Sequence, residues 1–231
     1  MIEESDFETF LYISKNKYRI FAYDKNNSKN LYNTEIKVNE EFELNNLSKF
    51  IDENIYKIEK KLNNFIRNII LIIDDEQILS TNISIKIKNY EKNKNQKNLE
   101  NNLIEIKDIF RENYKDHIIM HMIIVNNNLN KNYFLTNNDD VNDNNIYLEV
   151  NFISISDKFT FTFDKLLEDH QIKISQYMSG SYIKSFFSED LVELSVVANK
   201  LNNGLNQNEV ALISKHVENK GFFEKFFQLF S

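Results

Sequence analysis

Thr9-Phe10-Leu11-Tyr12-Ile13-Ser14 and Tyr18-Arg19-Ile20-Phe21-Ala22-Tyr23 flank the polar triplet Lys15-Asn16-Lys17. Two apolar runs about one tight polar turn predict a β-hairpin. A third strand near Leu31–Val38 alternates less cleanly. Leu47, Phe50, Ile51, Ile55, Ile58, Leu62 and Phe65 then recur at three- and four-residue steps, one face of a long helix. Ile69-Ile70-Leu71-Ile72-Ile73 is apolar throughout, as a strand covered on both faces would be. The order is β-β-β-α-β, which makes the chain an α/β (α+β) protein.

A second group follows. It comprises a strand at Ile83–Ile87, a charged Asn/Lys loop, a helix marked by Leu99, Leu103, Ile106 and Phe110, and a strand at Ile118–Val125. After the polar stretch Asn126–Asn145, Ile146, Leu148, Val150 and Phe152 alternate with Tyr147, Glu149, Asn151 and Ile153, a half-buried strand. The group reads strand-helix-strand-strand. Next come a helix around Phe161–His170, a strand at Ile172–Tyr177 and a helical stretch over Ser181–Leu201 that Asn202-Asn203-Gly204 can cap. Glu209–Ile213 has the makings of a last short strand, and Ser214–Lys220 is a polar tether.

Composition excludes several function classes. The 231 residues are enough for a real core, and 42% of them are apolar, so most of the chain should fold. There is no Cys, which rules out disulfides and thiolate zinc sites and fits a reducing compartment. No apolar run reaches the ~20 residues of a membrane span. The acidic start Met1-Ile2-Glu3-Glu4-Ser5-Asp6 is unlike a signal peptide, so the expectation is an intracellular protein. A net charge of -7 argues against nucleic-acid binding, and Lys92-Asn93-Lys94-Asn95-Gln96-Lys97 reads as a solvated loop. The abundant Asn, Ile and Lys are what an AT-rich genome leaves, and no function is read from them. Gly180, Gly204 and Gly221 are the only glycines and stand far apart, so they cannot form a Gly-rich phosphate loop.

Phe222-Phe223-Glu224-Lys225-Phe226-Phe227-Gln228-Leu229-Phe230-Ser231 carries the sharpest pattern. At ~100° per residue, Phe222, Phe223, Phe226, Phe227, Leu229 and Phe230 fall within an arc of roughly 160°. Glu224, Lys225, Gln228 and Ser231 lie opposite. A helix docking on the protein's own core is the plain alternative. The tether and a face built almost wholly of Phe favour the headgroup–acyl boundary of a membrane, with Lys220 and Lys225 at its margin. Burying each large apolar side chain is worth roughly 1.5–3 kcal/mol. Ordering each backbone residue costs about 1–2 kcal/mol. Those contributions nearly cancel, so one copy binds weakly and stable attachment needs several.

In element order, in the opening Phe10-Leu11-Tyr12-Ile13-Ser14-Lys15-Asn16-Lys17-Tyr18-Arg19, and in Leu148-Glu149-Val150-Asn151-Phe152-Ile153-Ser154 running on to Gln171-Ile172-Lys173-Ile174-Ser175, the chain resembles bacterial FtsA. That is the actin-like protein tethering the division ring to the cytoplasmic membrane. The Phe-rich segment is similar in position and character to that family's membrane-targeting helix. The resemblance implies a ribonuclease H-like, actin-like lobe at 1–81 and 156–213 and an inserted strand-helix-strand-strand (SHS2) interaction subdomain at 82–155. A tether at 214–220 and an amphipathic membrane helix at 221–231 would follow. It also implies a peripheral place on the cytoplasmic face of the membrane and contacts with division or envelope proteins, self-association among them. The family's Asp-Ile-Gly-Thr-type phosphate turn is not kept. Tyr12 stands at the Asp position, Ser14 at the Gly, and Lys15 and Asn16 at the following pair. The second Gly-rich phosphate turn, expected after about Leu191, and the second actin lobe are missing too. No nucleotide, metal or other cofactor is therefore expected, and the chain is read as a non-catalytic scaffold. The alternatives are an adaptor of another envelope assembly, of the type IV pilus kind, and a nucleotide hydrolase with a degenerate site.

Other constellations are weaker. His117 and His121 are four apart but sit in strand-like sequence, where such positions share a face at some distance, and no metal site is expected there. Asp139-Asp140-Val141-Asn142-Asp143 lacks the Gly and Glu of a calcium loop. Asp74-Asp75-Glu76 ends a buried strand with no evident His or Lys partner. Ser179-Gly180-Ser181 lacks a nucleophile-elbow context.

Overall fold

The computed structural model describes residues 7–38, 44–87, 96–127, 146–186 and 193–210. The large sheet is assembled from β1 (Phe7–Ser14), β2 (Lys17–Asp24), β3 (Lys29–Lys37), β4 (Asn68–Asp74) and β8 (Lys173–Ser179), in the order β3-β2-β1-β4-β8. The first three run antiparallel, whereas β4 lies parallel to β1 and β8 parallel to β4. Between β4 and β8 the chain forms a second, antiparallel sheet of β5 (Leu79–Ile87), β6 (His117–Asn127) and β7 (Ile146–Ser156), ordered β5-β7-β6. This is a mixed α/β fold, a five-stranded mixed sheet with a strand-helix-strand-strand unit set into it. The register pairs Leu79 with Ser154, so the unit's first and last strands stand side by side where they leave the large sheet.

The apolar runs of β1 and β4 follow from burial on both faces. Leu11, Ile13, Ile69, Leu71 and Ile73 point to one side, into a core with α1 (Leu44–Leu62) and α3 (Asp157–Glu168). Phe10, Tyr12, Ile70 and Ile72 point to the other, against α4 (Gly180–Lys184) and α5 (Leu194–Asn202). A third core joins Ile106 and Phe110 of α2 (Gln96–Asn113) to Met122, Leu148, Val150 and Phe152. Ile153, placed among the polar alternates by the sequence pattern, turns instead into the core beneath α5.

Three expectations change. The hairpin tip is Lys15-Asn16, because Lys17 already pairs with Ser14. Phe65 does not continue the apolar face of α1. The helix ends at Leu62, Asn63 takes φ 48, and Phe65 is 75% exposed. An Asn in the left-handed region is a common way to stop a helix without Gly, and the Glu59 carboxylate then accepts from the Ile66 N–H at 3.0 Å. The helical stretch expected over Ser181–Leu201 is two helices, α4 and α5, with Glu193 at the N-cap of the second.

Candidate functional site

The parallel strands β1, β4 and β8 end together: Ser14 pairs with Asp74, and Ile73 with Ser179. Ligands of open α/β sheets bind beyond such carboxyl ends. Here that place is filled by side chains. The Tyr12 hydroxyl donates to Asp74 Oδ2 at 2.7 Å. Lys184 Nζ donates to the Tyr12 hydroxyl at 3.1 Å and forms an ion pair with the same Asp74 oxygen. Its ammonium also stands 5.4 Å from the centre of the Tyr12 ring.

The sequence reading found no cationic partner for Asp74; Lys184 is that partner, delivered by α4. Gly180 permits the approach, because a Cβ there would lie 2.6 Å from Asp74 Cβ. The glycine serves helix–strand contact.

Electrostatics within the cluster are coupled. Burial works against ionisation of Asp74, but hydrogen bonds from Lys184 and Tyr12 outweigh it and hold the carboxyl below its ordinary value. Burial likewise works against the Lys184 charge, and the bonds to Asp74 and Tyr12 raise its pKa nonetheless. Burial, followed by the bond to Asp74, pushes the Tyr12 phenol up. Three groups that satisfy one another in this way form a lock between β1, β4 and α4.

A second polar cluster joins the two sheets. Ser179 N–H donates to His121 Nε2 at 2.9 Å, and His121 Nδ1 lies 2.6 Å from Glu209 Oε1. A backbone N–H can only donate, so Nε2 carries no proton and the Nδ1–H donates to Glu209. The Tyr182 hydroxyl donates to the other Glu209 oxygen at 2.9 Å and accepts from Asn206 at 2.8 Å. Burial first, and then Glu209, against the donation from Asn206, raises the Tyr182 pKa. Ser, His and Glu thus meet, but the Ser179 hydroxyl faces Tyr182 N–H and the Ser181 hydroxyl. The imidazole nitrogen that would serve as base is engaged by backbone, so this geometry does not activate a nucleophile.

His117 and His121 do not share a face. Ile119 pairs with Ser154 and His121 with Ile153, leaving Met120 as a bulge. The extra residue puts His117 against Tyr114 and His121, 1% exposed, against Tyr182. Among the described residues no group of three His, Cys, Asp or Glu could hold a metal ion.

On the outer surface of the second sheet, Asn151 donates to Ser80 at 2.8 Å and to Asn82 at 2.6 Å, and Asn82 donates to Glu149 at 3.0 Å. The outer edge of β5 carries no neighbouring strand among the described residues. The outer edge of β6 is partly covered. Ile124 N–H donates to Asn208 O at 2.9 Å, Val210 N–H donates to Met122 O at 2.8 Å, and Glu209 bridges Ile123. Beside that contact, between β6 and β8, lies a cleft of about 460 Å³ lined by Ile118, Met120, Tyr177, Leu201, Asn206 and Glu209 among others.

The membrane-facing residues expected from sequence, Lys220, Phe222, Phe223, Lys225, Phe226, Phe227, Leu229 and Phe230, lie outside the described residues, as do Asp139–Asp143. Among the described residues no helix is long and apolar enough to cross a membrane.

No protein-family model matches this sequence, and no curated protein sequence matches it. Some solved structures match over part of their length. A Bacteroides thetaiotaomicron protein with an actin-like ATPase fold and unknown function has a TM-score of 0.36 and 13% identity, over 80% of this chain and 58% of that one. The PilM-PilN type IV pilus biogenesis complex gives 0.47 and 8%, over 76% of this chain and 48% of the other. The cytoplasmic domain of EpsL, an inner membrane component of the type II secretion system of Vibrio cholerae, gives 0.38 and 6%, over 80% and 59%. This chain therefore spans between 48% and 59% of the length of the chains it matches.

Proposed function

We propose that this protein is a non-catalytic adaptor of a bacterial envelope assembly, held at the cytoplasmic face of the membrane by its Phe-rich segment. The single observation behind the non-catalytic reading is the Tyr12–Asp74–Lys184 cluster. It fills the strand ends where the FtsA resemblance implies a phosphate turn, with side chains already paired to one another. Protein contacts are made by the strand-helix-strand-strand unit, whose β5 edge can accept an added strand. The resemblance to FtsA favours cell division as the assembly. The pilus and secretion machineries named for two of the similar structures are the other setting.

Calorimetric titration of the full chain with Mg-ATP tests the reading of the cluster. The expected outcome is no binding heat; a micromolar dissociation constant overturns it. Photo-cross-linking from Ser84 on β5 in cells tests the partner, and division or envelope proteins are the expected products.

A further inference from the structure

Of the four edge strands among the described residues, β5 is the one left both regular and uncovered. β3 breaks register with β2 between Ala22 and Tyr23, and Lys61 Nζ donates to its Leu31 carbonyl at 2.7 Å. β6 breaks register with β7 twice and carries Asn208–Val210 along its outer side. β8 breaks register with β4 between Ile69 and Ile70 and has β6 beside it. β5 pairs with β7 from Leu79 to Ile87 with no shift, and Lys86 is its single charge. Such an edge templates pairing with another chain unless charges, bulges or cover prevent it. Its side chains alternate strictly. Leu79, Thr81, Ile83 and Ile85 are half-buried, with Ile83 and Ile85 packed on the core under α2, whereas Ser80, Asn82, Ser84 and Lys86 are exposed.

We propose that the strand this edge accepts is the β5 of a second copy, paired antiparallel about Ile83, so that two three-stranded sheets join into one of six. The inference rests on the reading of β5 as the protein-contact edge and names its occupant. The sequence Leu79-Ser80-Thr81-Asn82-Ile83-Ser84-Ile85-Lys86-Ile87 is self-complementary in that register. Ile83 meets Ile83 of the other copy, Thr81 meets Ile85, and Leu79 lies opposite Ile87. Ser80 meets Lys86, and Asn82 meets Ser84. Every half-buried position therefore keeps to the α2 side, every exposed one to the outer side, and the two Lys86 charges stand far apart. A shift by one residue would put apolar side chains opposite polar ones on the wrong face. The same surface on both copies makes a closed two-fold contact. One strand pair falls short of the ~800 Å² per partner of a standard interface, so the pairing is weak in dilute solution and favoured wherever the chain is concentrated. A foreign strand and a second copy exclude each other at this edge, so self-pairing regulates access to it.

Sedimentation velocity of the full chain over a range of concentrations tests it, with the charge at position 80 varied. Positions 80 and 86 are six residues, or about 20 Å, apart within one copy, so an effect of one on the other is felt between copies. S80D faces Lys86 of the other copy twice and should lower the concentration for dimer formation roughly five-fold. S80K sets like charges opposite each other and should raise it by a similar factor, and S80K/K86D should restore it. In the wild type, hydrogen exchange of β5 peptides should slow as concentration rises while that of α1 stays constant. A chain that stays monomeric in wild type and S80D overturns the inference. If Ser84 then captures a different protein in cells, the edge reading survives without self-pairing. A dimer indifferent to position 80 overturns it too, and one abolished by F226D/F230D alone assigns the association to the Phe-rich segment.

Discussion

Lys184 and Asp74, 110 positions apart in sequence, form an ion pair at the end of β4 that the Tyr12 hydroxyl completes. Removing the cation should expose what the pair contributes. Lys184→Met leaves Asp74 with Tyr12 alone, and because Lys184 is 47% exposed the loss should be no more than about 1 kcal/mol. The Asp74 pKa is lowered by folding, so its contribution is full above the unfolded value of 3.8 and fades as pH falls through the folded one. The Lys184 pKa is raised, so its contribution is full below 10.5 and lost as pH rises through the folded value. Urea melts should therefore separate wild type and variant at pH 7 and bring them together as pH falls through the folded Asp74 value.

Gly180→Ala and Gly204→Ala should destabilise for different reasons. At 180 the new methyl meets Asp74 Cβ at 2.6 Å and pushes α4 off the strand end, at a cost of roughly 1–3 kcal/mol. At 204 nothing lies within 4 Å, and the penalty is the φ of 85, about 1 kcal/mol. Pairing each with Lys184→Met separates them. Gly180→Ala should be less than additive with it, because the first change already disturbs the ion pair, whereas Gly204→Ala should add fully.

The two histidines should behave oppositely. His121→Ala strips a partner from the Ser179 N–H and from Glu209, costing about 1–3 kcal/mol in a thermal or urea melt. His117→Ala should stay within about 0.5 kcal/mol of wild type. Added zinc should stabilise neither.

Phe226→Asp with Phe230→Asp places two carboxylates in the apolar face of the Phe-rich segment. The double variant should be lost from vesicle pellets while keeping the wild-type melting temperature. Salt should weaken wild-type binding only slightly, because apolar insertion dominates over Lys220 and Lys225. A variant that still sediments defeats the membrane reading. One that unfolds shows the helix docked on the core.

What the sequence disclosed and what it hid have separate physical origins. Ile69–Ile73 was legible as a doubly covered strand because burial on both faces removes polar alternation, and Leu47–Ile58 because one helix face meets one core. The end of α1 was hidden, since Asn63 adopts a left-handed conformation that nothing in its neighbours demands. The separation of His117 from His121 depends on one unpaired residue, Met120, and a bulge leaves no mark on a period of two. The Tyr12–Asp74–Lys184 cluster was half visible. Asp74 at a strand end was noticed, but its cation comes from a helix beyond the whole second sheet, and no spacing rule reaches that far. The role of Glu209 was hidden for the same reason, because its His partner comes from β6 and its Tyr partner from α4.

The side-by-side pairing of Leu79 with Ser154 also bears on how the chain reaches this structure. Joining β4 to β8 spans the entire second unit, and closing so long a loop of open chain is entropically slow. Once β5 and β7 have zipped, the two points where the unit leaves the large sheet are already neighbours, and the effective loop shrinks to a short link plus α3. Folding of the small sheet should therefore precede and accelerate that of the large one. Core substitutions at Leu148 or Val150, remote from β8, should slow the arrival of β8 at its place beside β4.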